Sequence, residues 1–294
     1  MAVVSSQART PRQRFARTLR RLNWKVVLSI LVLAAMIVGA LAVPLTELDP
    51  FRQSLRARLI PPAWQEAGLA QYPLGTDHLG RDMLSRLLYG ARVSLSIGFL
   101  AVALAGTIGV VLGLLAGYFG GLVDTVIMRL ADIQLAFPLV LIVILLVSVM
   151  GPSLLNMVIA LGVAGWVEYT RLVRAEVLQK REEAFVEAAR ALGAKHPRII
   201  LRHVLPNIAA PILVLATLAV PRMILVESAL SWLGLSVPPP TPTWGGMVAE
   251  ANNYLSTSWW MATLPGVAIV LVVLSINFIG DWLRDVLDPR TRKR

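Results

Sequence analysis

Histidines and neighbouring carboxylates are the residues of this chain that could hold a metal ion. The histidines are His78, His196 and His203. Asp77, His78 and Asp82 are close in sequence, but one histidine and two aspartates without a fourth ligand form a weak metal pattern. Thr76 or Asp77 also suits the N-cap of a following helix, and we prefer that structural interpretation.

Three acidic residues lie within or at the ends of long apolar stretches, namely Asp132, Glu168 and Glu227. Ionisable groups in a membrane are costly, so they face a cavity or a partner. A proton-coupled secondary transporter that uses Glu168 or Glu227 is therefore an alternative function. Their positions near predicted span ends, where water is close, favour structural roles instead.

The sequence lacks the motifs of a chain that hydrolyses ATP or performs catalysis. A phosphate-binding loop requires a Gly-Lys pair. The lysines are Lys25, Lys180, Lys195 and Lys293, and none follows a glycine. There is no Gly-x-Ser-x-Gly or His-Glu-x-x-His motif and no cysteine. We therefore expect no catalytic residue, no cofactor and no metal in this chain.

The amino-acid composition of the sequence is typical of a membrane protein. Of 294 residues, 56% are hydrophobic and only 15% are charged, whereas soluble domains carry about 25% charged residues. Six apolar stretches have about the length needed to cross a bilayer. They are Val26–Val43, Val93–Tyr118, Ile133–Met150, Leu154–Val173, Ile208–Val226 and Met261–Trp282. The prediction is an all-α polytopic protein with six transmembrane helices.

The net charge of +11 is unevenly distributed along the chain. With a cytoplasmic N-terminus, 21 of the 28 Lys and Arg residues fall on the inner side, as the positive-inside rule requires. Both termini are then cytoplasmic and close to lipid headgroups. A nucleic-acid partner is not expected, because no folded reading element is visible.

The predicted organisation has five parts. They are a basic cytoplasmic tail (1–25), a first transmembrane helix (26–43), an extracytoplasmic loop (44–92), a five-helix core (93–283) and a second basic tail (284–294). The loop ends in an amphipathic helix, Leu79 to Arg92, predicted to lie at the membrane interface.

Glycines at intervals of four mark one face of the second span. Gly109, Gly113 and Gly117 let another backbone approach closely. Glycine is common in membrane helices, but we favour close helix packing.

The core contains a hydrophilic cytoplasmic loop, 174–206, with a short amphipathic helix. Phe185, Ala188, Ala189 and Leu192 are predicted to share one face of it. Gly193 suits the left-handed residue that ends a helix, and Pro197 prevents simple continuation. Amphipathicity alone fits a helix that docks on a partner and a solvated linker helix equally well.

Three separated blocks resemble one known family. Glu187-Ala188-Ala189, Gly193 and His203-Val204-Leu205-Pro206 resemble the cytoplasmic signature loop of binding-protein-dependent ABC importer permeases. In that loop, His203 replaces an isoleucine, as in the peptide-uptake branch. Leu74 to Arg92 and the Ser231 to Gly245 segment are similar to the dipeptide/oligopeptide/nickel permeases, inner membrane components of such systems.

The resemblance implies a type I ABC importer permease-like subunit in a bacterial inner or plasma membrane. Its partners would be a homologous permease (as a heterodimer), two ATP-binding subunits that bind ATP and Mg, and an extracytoplasmic solute-binding protein. The solute would be a dipeptide or oligopeptide, with nickel chelates and glutathione-like solutes left open. The ATPase-coupling residues would be Phe185, Glu187, Ala188, Ala189, Leu192, Gly193 and Pro206.

Overall fold

The computed structural model describes residues 23–43 and 48–287, and within them the architecture is all-helical. The helices are α1 (Trp24–Ala42), α2 (Met83–Phe119), α3 (Gly121–Leu135), α4 (Leu139–Met150), α5 (Leu154–Lys180), α6 (Ala184–Ala191), α7 (His196–Ile199), α8 (Leu205–Trp232), α9 (Trp244–Glu250) and α10 (Trp260–Leu287). The outer parts of both predicted basic tails lie outside the described residues.

Four helical runs among the described residues are long and apolar enough to cross a membrane. They are Trp24–Ala42, Met83–Phe119, His196–Trp232 and Trp260–Leu287. Each contains, or nearly coincides with, one of the predicted spans. Their lengths of 19 to 37 residues meet the roughly 20 residues that a bilayer requires.

The predicted third span, Ile133–Met150, is wrong as a single helix. The chain bends by 89° between α3 and α4. Pro138 precedes α4 and has no backbone N–H to continue the ladder of α3, and it disfavours a helical conformation at the residue before it. Counted as one broken span, α3 and α4 bring the total to five.

The predicted fourth span, Leu154–Val173, lies within α5, which is not apolar enough to be identified as a span by composition. Protein surrounds much of this helix, and Leu161, Val173 and Val177 are fully buried. A helix covered by its neighbours needs no continuous apolar surface toward lipid. The simple count of six apolar membrane helices is therefore not what the structure shows.

The predicted interfacial helix, Leu79 to Arg92, is not a separate element. Helix α2 starts at Met83 and continues without a break to Phe119. Its N-cap is Asp82, whose carboxylate accepts a hydrogen bond from the Ser85 N–H at 2.8 Å. The expected cap by Thr76 or Asp77 is therefore wrong.

Asp77 instead belongs to a buried ion cluster. Its carboxylate contacts Arg81 at 2.5 Å and Arg86 at 2.6 Å, and both arginines also reach Glu250, at 2.7 and 2.9 Å. Asp77 and both arginines are almost fully buried. Removing one member of such a cluster leaves a buried charge unpaired, which is strongly destabilising. The cluster therefore ties the segment before α2 to α9.

The most extensive helix contact joins α2 and α5, which run parallel. A Cβ atom added to Gly113 would lie 2.8 Å from the Thr170 carbonyl oxygen, and one on Gly109 would lie 2.5 Å from the Trp166 carbonyl oxygen. The Thr170 hydroxyl also donates to the Gly109 carbonyl at 3.1 Å. Because side chains are absent on this face, the two backbones approach closely.

The connecting segments gather at two ends of the bundle. At one end, the Tyr118 hydroxyl and His196 Nδ1 lie 2.9 Å apart, which places the end of α2 beside the start of α7. At the other, the Trp244 indole donates to the Leu87 carbonyl at 3.0 Å. Residues 48–82 and 233–259 therefore share one end, and residues 181–195 lie at the other.

We predict that Gly113→Ala lowers stability by about 1–3 kcal/mol, because the added methyl group must push the α5 backbone away. The matched control is Gly266→Ala in α10, where a Cβ atom meets nothing within 4 Å. The thermal unfolding midpoint of the purified membrane complex measures both changes. Equal midpoints for the two variants would contradict the close backbone contact.

Candidate functional site: the segment between α5 and α8

The loop between α5 and α8 is built around the short helix α6. The Lys180 ammonium contacts the Glu183 carboxylate at 2.6 Å, and the Glu183 carbonyl accepts a hydrogen bond from the Val186 N–H at 2.9 Å. These contacts turn the chain out of α5 and start α6 at Ala184. The turn therefore sets the direction of α6.

Helix α6 presents two different faces. Val186 and Ala189 are buried in an apolar cluster with residues of α2, α5 and α8. Ala188 and Leu192 are exposed, Leu192 with 89% of its surface accessible, and Phe185 is half-buried. An apolar side chain as exposed as Leu192 suits a contact with another protein.

The predicted common face of Phe185, Ala188, Ala189 and Leu192 is wrong for Ala189. In an α-helix Ala189 lies three residues after Val186, so these two side chains share the inner face. Ala188 and Leu192 are four residues apart and share the outer face with exposed Glu187. Ala189 thus packs on the bundle instead of pointing outward.

Gly193 ends α6 with φ of 77°, and the predicted positive φ is confirmed. Its N–H donates to the Arg190 carbonyl at 2.9 Å, and the Ala194 N–H donates to the Ala189 carbonyl at 3.0 Å. This pair of bonds is the Schellman motif, in which glycine avoids the steric cost of a left-handed conformation.

Beyond Pro197, the chain is helical and continuous with the following span. Helix α7 begins at His196 with Pro197 in its first turn, and a π-helical turn, Ile200–Val204, leads directly into α8. Pro206 is the second residue of α8 and directly follows the π-helical turn. The predicted loop 174–206 is helical at both of its ends.

Polar contacts attach this segment to the bundle. The Arg181 guanidinium donates to the Gly117 carbonyl at 3.0 Å, and Arg174 makes two hydrogen bonds to Asp124, at 2.5 and 2.6 Å. The contact of Tyr118 with His196 joins the same region. The glycine-lined end of α2 is thus connected directly to both sides of α6.

Exposed cations surround the outer face. Arg190, Lys195, Arg198 and Arg202 are all exposed. An open groove of about 340 Å³ lies between Pro197, Arg198, Leu201 and Arg202. Guanidinium groups recognise carboxylates on a partner surface. The arrangement can bind an acidic and apolar protein surface, and it contains no nucleophile with an adjacent base.

The acidic residues singled out from the sequence all have partners on the protein. Asp132 contacts Arg171 at 2.6 Å, and Glu168 forms an ion pair with Arg222. Glu227 is fully buried and accepts hydrogen bonds from Ser231 and Ser236, both at 2.7 Å. Asp132 and Glu168 pair with residues of other helices, so sequence spacing gives little indication of their partners, whereas Ser231 lies one helical turn after Glu227 in α8.

The candidate metal ligands fit an ion cluster better than a metal site. Asp77, His78 and Glu250 can bring one ligand atom each within 4.8 Å of one another. However, the carboxylates of Asp77 and Glu250 are already bound by Arg81 and Arg86. Two arginines beside the same oxygens oppose a second cation. Asp82, the other carboxylate of the weak metal pattern, caps α2.

The long apolar helices are those of a membrane protein, and the exposed face of α6 with its nearby cations is suited to contact with another protein. Comparison with known families identifies the kind of membrane protein. The family described as binding-protein-dependent transport system inner membrane component matches residues 109–293, and the chain belongs to that family.

Relatives cover nearly the whole chain. The di/tripeptide transport system permease protein DppC of Pseudomonas aeruginosa is 47% identical over 83% of this chain and 80% of its own length. The dipeptide transport system permease proteins DppC of Escherichia coli K12 and Haemophilus influenzae are 44% and 39% identical. Each alignment covers 97% of this chain, and it covers 95% and 97% of the respective relatives.

A solved structure shares the fold. The chain resembles one in inward-facing MetNI methionine ABC transporter, with a TM-score of 0.57 and 18% identity over 70% of this chain and 98% of that one. This protein is therefore an ABC importer permease subunit with a type I-like fold. It is a non-catalytic, multi-pass membrane component that works with permease and ATP-binding partners. Because the chain belongs to this family, we no longer interpret Glu168 and Glu227 as the proton-coupling groups of a secondary transporter.

We predict that Gly193→Val lowers solute transport severalfold without preventing membrane insertion, because a β-branched residue is strained at positive φ. Gly193→Asn is the matched control, since asparagine tolerates this conformation and a Cβ atom here meets nothing within 4 Å. Solute uptake, normalised to the amount of the subunit in the membrane, distinguishes the two variants. Equal, normal uptake by both variants would show that the α6 end geometry is unimportant.

Proposed function

We propose that this chain is one of two permeases in an ABC importer of dipeptides. The observation that carries the proposal is the outer face of α6, where Ala188 and Leu192 are exposed beside Arg190 at the end of a membrane bundle. A chain without a phosphate-binding loop needs an ATP-hydrolysing partner, and this face offers a docking surface for one.

The assembly would have four kinds of subunit. A homologous permease would pair with this chain as a heterodimer, and an extracytoplasmic solute-binding protein would deliver the peptide. Two ATP-binding subunits would hold ATP and Mg and dock on α6. The exposed arginines and lysine of this end support the docking, because they can bind carboxylates on those subunits.

The substrate proposal rests on the relatives. Three permeases named for dipeptides or di/tripeptides align with 83% to 97% of this chain at 39% to 47% identity. The similarity extends through the membrane helices. Oligopeptides are the related class of substrate, so a transport assay should compare the uptake of dipeptides with the uptake of oligopeptides.

Coupling would work through the inner face of α6. Val186 and Ala189 pack on the bundle, so a displacement of α6 by the ATP-binding subunits is passed to α2, α5 and α8. Shifting a two-state equilibrium from 1:99 to 99:1 requires about 5.5 kcal/mol of differential binding. ATP binding to a docked pair of subunits can supply such a difference, and an isolated permease has no source for it.

The orientation we propose puts both termini and α6 in the cytoplasm of a bacterial cell. Segments 48–82 and 233–259 would face outward, where a solute-binding protein can reach them. The basic residues concentrated near the termini and around α6 support this orientation. This orientation also places α6 on the cytoplasmic side, where ATP is available to the subunits proposed to dock on it.

We predict that Ala188→Trp abolishes most of the ATPase stimulation by the solute-binding protein, because a large side chain overfills a packed interface. Ala188→Ser is the control, since it keeps the site small. Ala188 is exposed in this chain, so neither change should alter the thermal stability of the chain itself. Unchanged stimulation with Ala188→Trp would refute docking on this face.

The orientation can be tested directly because the chain contains no cysteine. Single cysteines at the exposed positions Glu66, Glu182 and Asn253 are treated in intact cells with a membrane-impermeant thiol reagent. We expect Glu66→Cys and Asn253→Cys to react, and Glu182→Cys to react only after the membrane is opened. Reaction of Glu182→Cys in intact cells would reverse the orientation and exclude ATPase docking on α6.

A further inference from the structure

Two ion pairs lie on the open side of the bundle, within its membrane-spanning part. Glu168 pairs with Arg222, joining α5 to α8, and the side chains are 47% and 46% exposed. Arg171 pairs with Asp132 at 2.6 Å, joining α5 to α3, with 50% and 53% exposure. These exposures are far above those of the buried Asp77 cluster.

The two pairs occupy one face of α5. Glu168 and Arg171 are three residues apart on that helix, so their side chains are neighbours on its surface. Gly109 and Gly113 of the 37-residue span α2 pack against residues 166–173 of α5. Glu168 and Arg171 therefore lie beside the interior of that span and not at its end, where the apolar pattern of the sequence places Glu168.

A groove continues from Arg222 along this side. It measures about 410 Å³ and lies between α4, α8 and α10. Its polar lining residues are Arg222 and Asn277, and apolar residues such as Leu225 and Val273 form the rest. A concave apolar surface with a few polar groups is the usual character of a small-molecule site.

Half-exposed charges at this depth cannot face lipid chains, because ionisable groups in hydrocarbon are too costly. A dry contact with the second permease would also remove water from four charges that are already paired with one another. A water-filled space satisfies both constraints.

We propose that Glu168, Arg222, Arg171 and Asp132, with Asn277, line the solute path and bind the charged ends of a zwitterionic peptide. This inference rests on the proposed function. The peptide carboxylate binds Arg222 or Arg171 and its ammonium group binds Glu168 or Asp132, so that each contact replaces an internal ion pair.

Such an exchange gives weak binding at successive positions. The guanidinium gives up one carboxylate and gains another, and the free energy changes little. A path conducts when binding is favourable enough for entry and weak enough for exit. Charged groups that are already paired with one another meet both requirements for a solute that carries one charge of each sign.

The first test uses two leucines of α8 that are similarly exposed. Leu225 borders the groove with 49% exposure, whereas Leu213, with 52% exposure, does not line it. Single cysteines at these positions are treated, in the complete lipid-reconstituted complex, with a small charged thiol reagent. Leu225→Cys should react at least about tenfold faster, since the thiolate that reacts forms only where water is present.

Equal rates at the two positions would overturn the proposal. Absence of reaction at Leu225→Cys in every nucleotide state would also overturn it, because the groove would then be covered by lipid or by the second permease. The reaction rates do not require dipeptide uptake. They remain measurable if the proposed substrate is wrong, so failure of the two ideas can be told apart.

The second test measures peptide uptake per ATP hydrolysed in the same complex. Arg222→Gln and Glu168→Gln should lower this ratio at least about tenfold, because a charge-assisted contact to the peptide is lost. Arg222→Lys, which keeps the charge, should retain most of it. A ratio unchanged by both glutamine variants would show that the Glu168–Arg222 pair only holds the helices together.

Discussion

Three glycines on α2 allow the backbone of α5 to approach within a distance that any side chain would prevent. The consequence extends beyond that contact, because the same end of α2 carries the Gly117 carbonyl that binds Arg181 and the Tyr118 hydroxyl that meets His196. The position of the loop around α6 is therefore set by the packing of two membrane helices. A movement of α6 must be accompanied by a movement of this helix pair, since the apolar cluster between them is closely packed.

The opposite end of the bundle is fixed by charge rather than by close backbone packing. Asp77, Arg81, Arg86 and Glu250 form a nearly closed cluster that joins the segment before α2, α2 itself and α9. Between the two ends, the described residues include two half-exposed ion pairs, Arg171–Asp132 and Arg222–Glu168. This distribution gives two rigid ends, one for each kind of partner in the proposed importer, and a more open middle through which a solute can pass.

Local patterns predicted much of the fold and of the site, but contacts between distant residues were beyond them. The apolar runs predicted the long spans, and the position of Gly193 after a short amphipathic run predicted its positive φ. The bend at Pro138 was missed because apolar composition continues across it. Glu250 lies 169 residues from Arg81, so no spacing rule could pair them. Ala189 was placed on the outer face because apolar type alone does not distinguish a side chain that packs on the bundle from one that docks on a partner.

In the mechanism that we propose, the outer face of α6 transmits the work of ATP-binding subunits to the membrane helices. The most direct measurement places a photo-crosslinking amino acid at Leu192, the most exposed apolar position of this segment, in the assembled importer. The same amino acid at Leu255, an exposed leucine at the other end of the bundle, serves as the comparison. We expect Leu192 to crosslink to an ATP-binding subunit, with a yield that changes when ATP binds, and Leu255 not to do so. No crosslink from Leu192 to an ATP-binding subunit in any nucleotide state would contradict this mechanism.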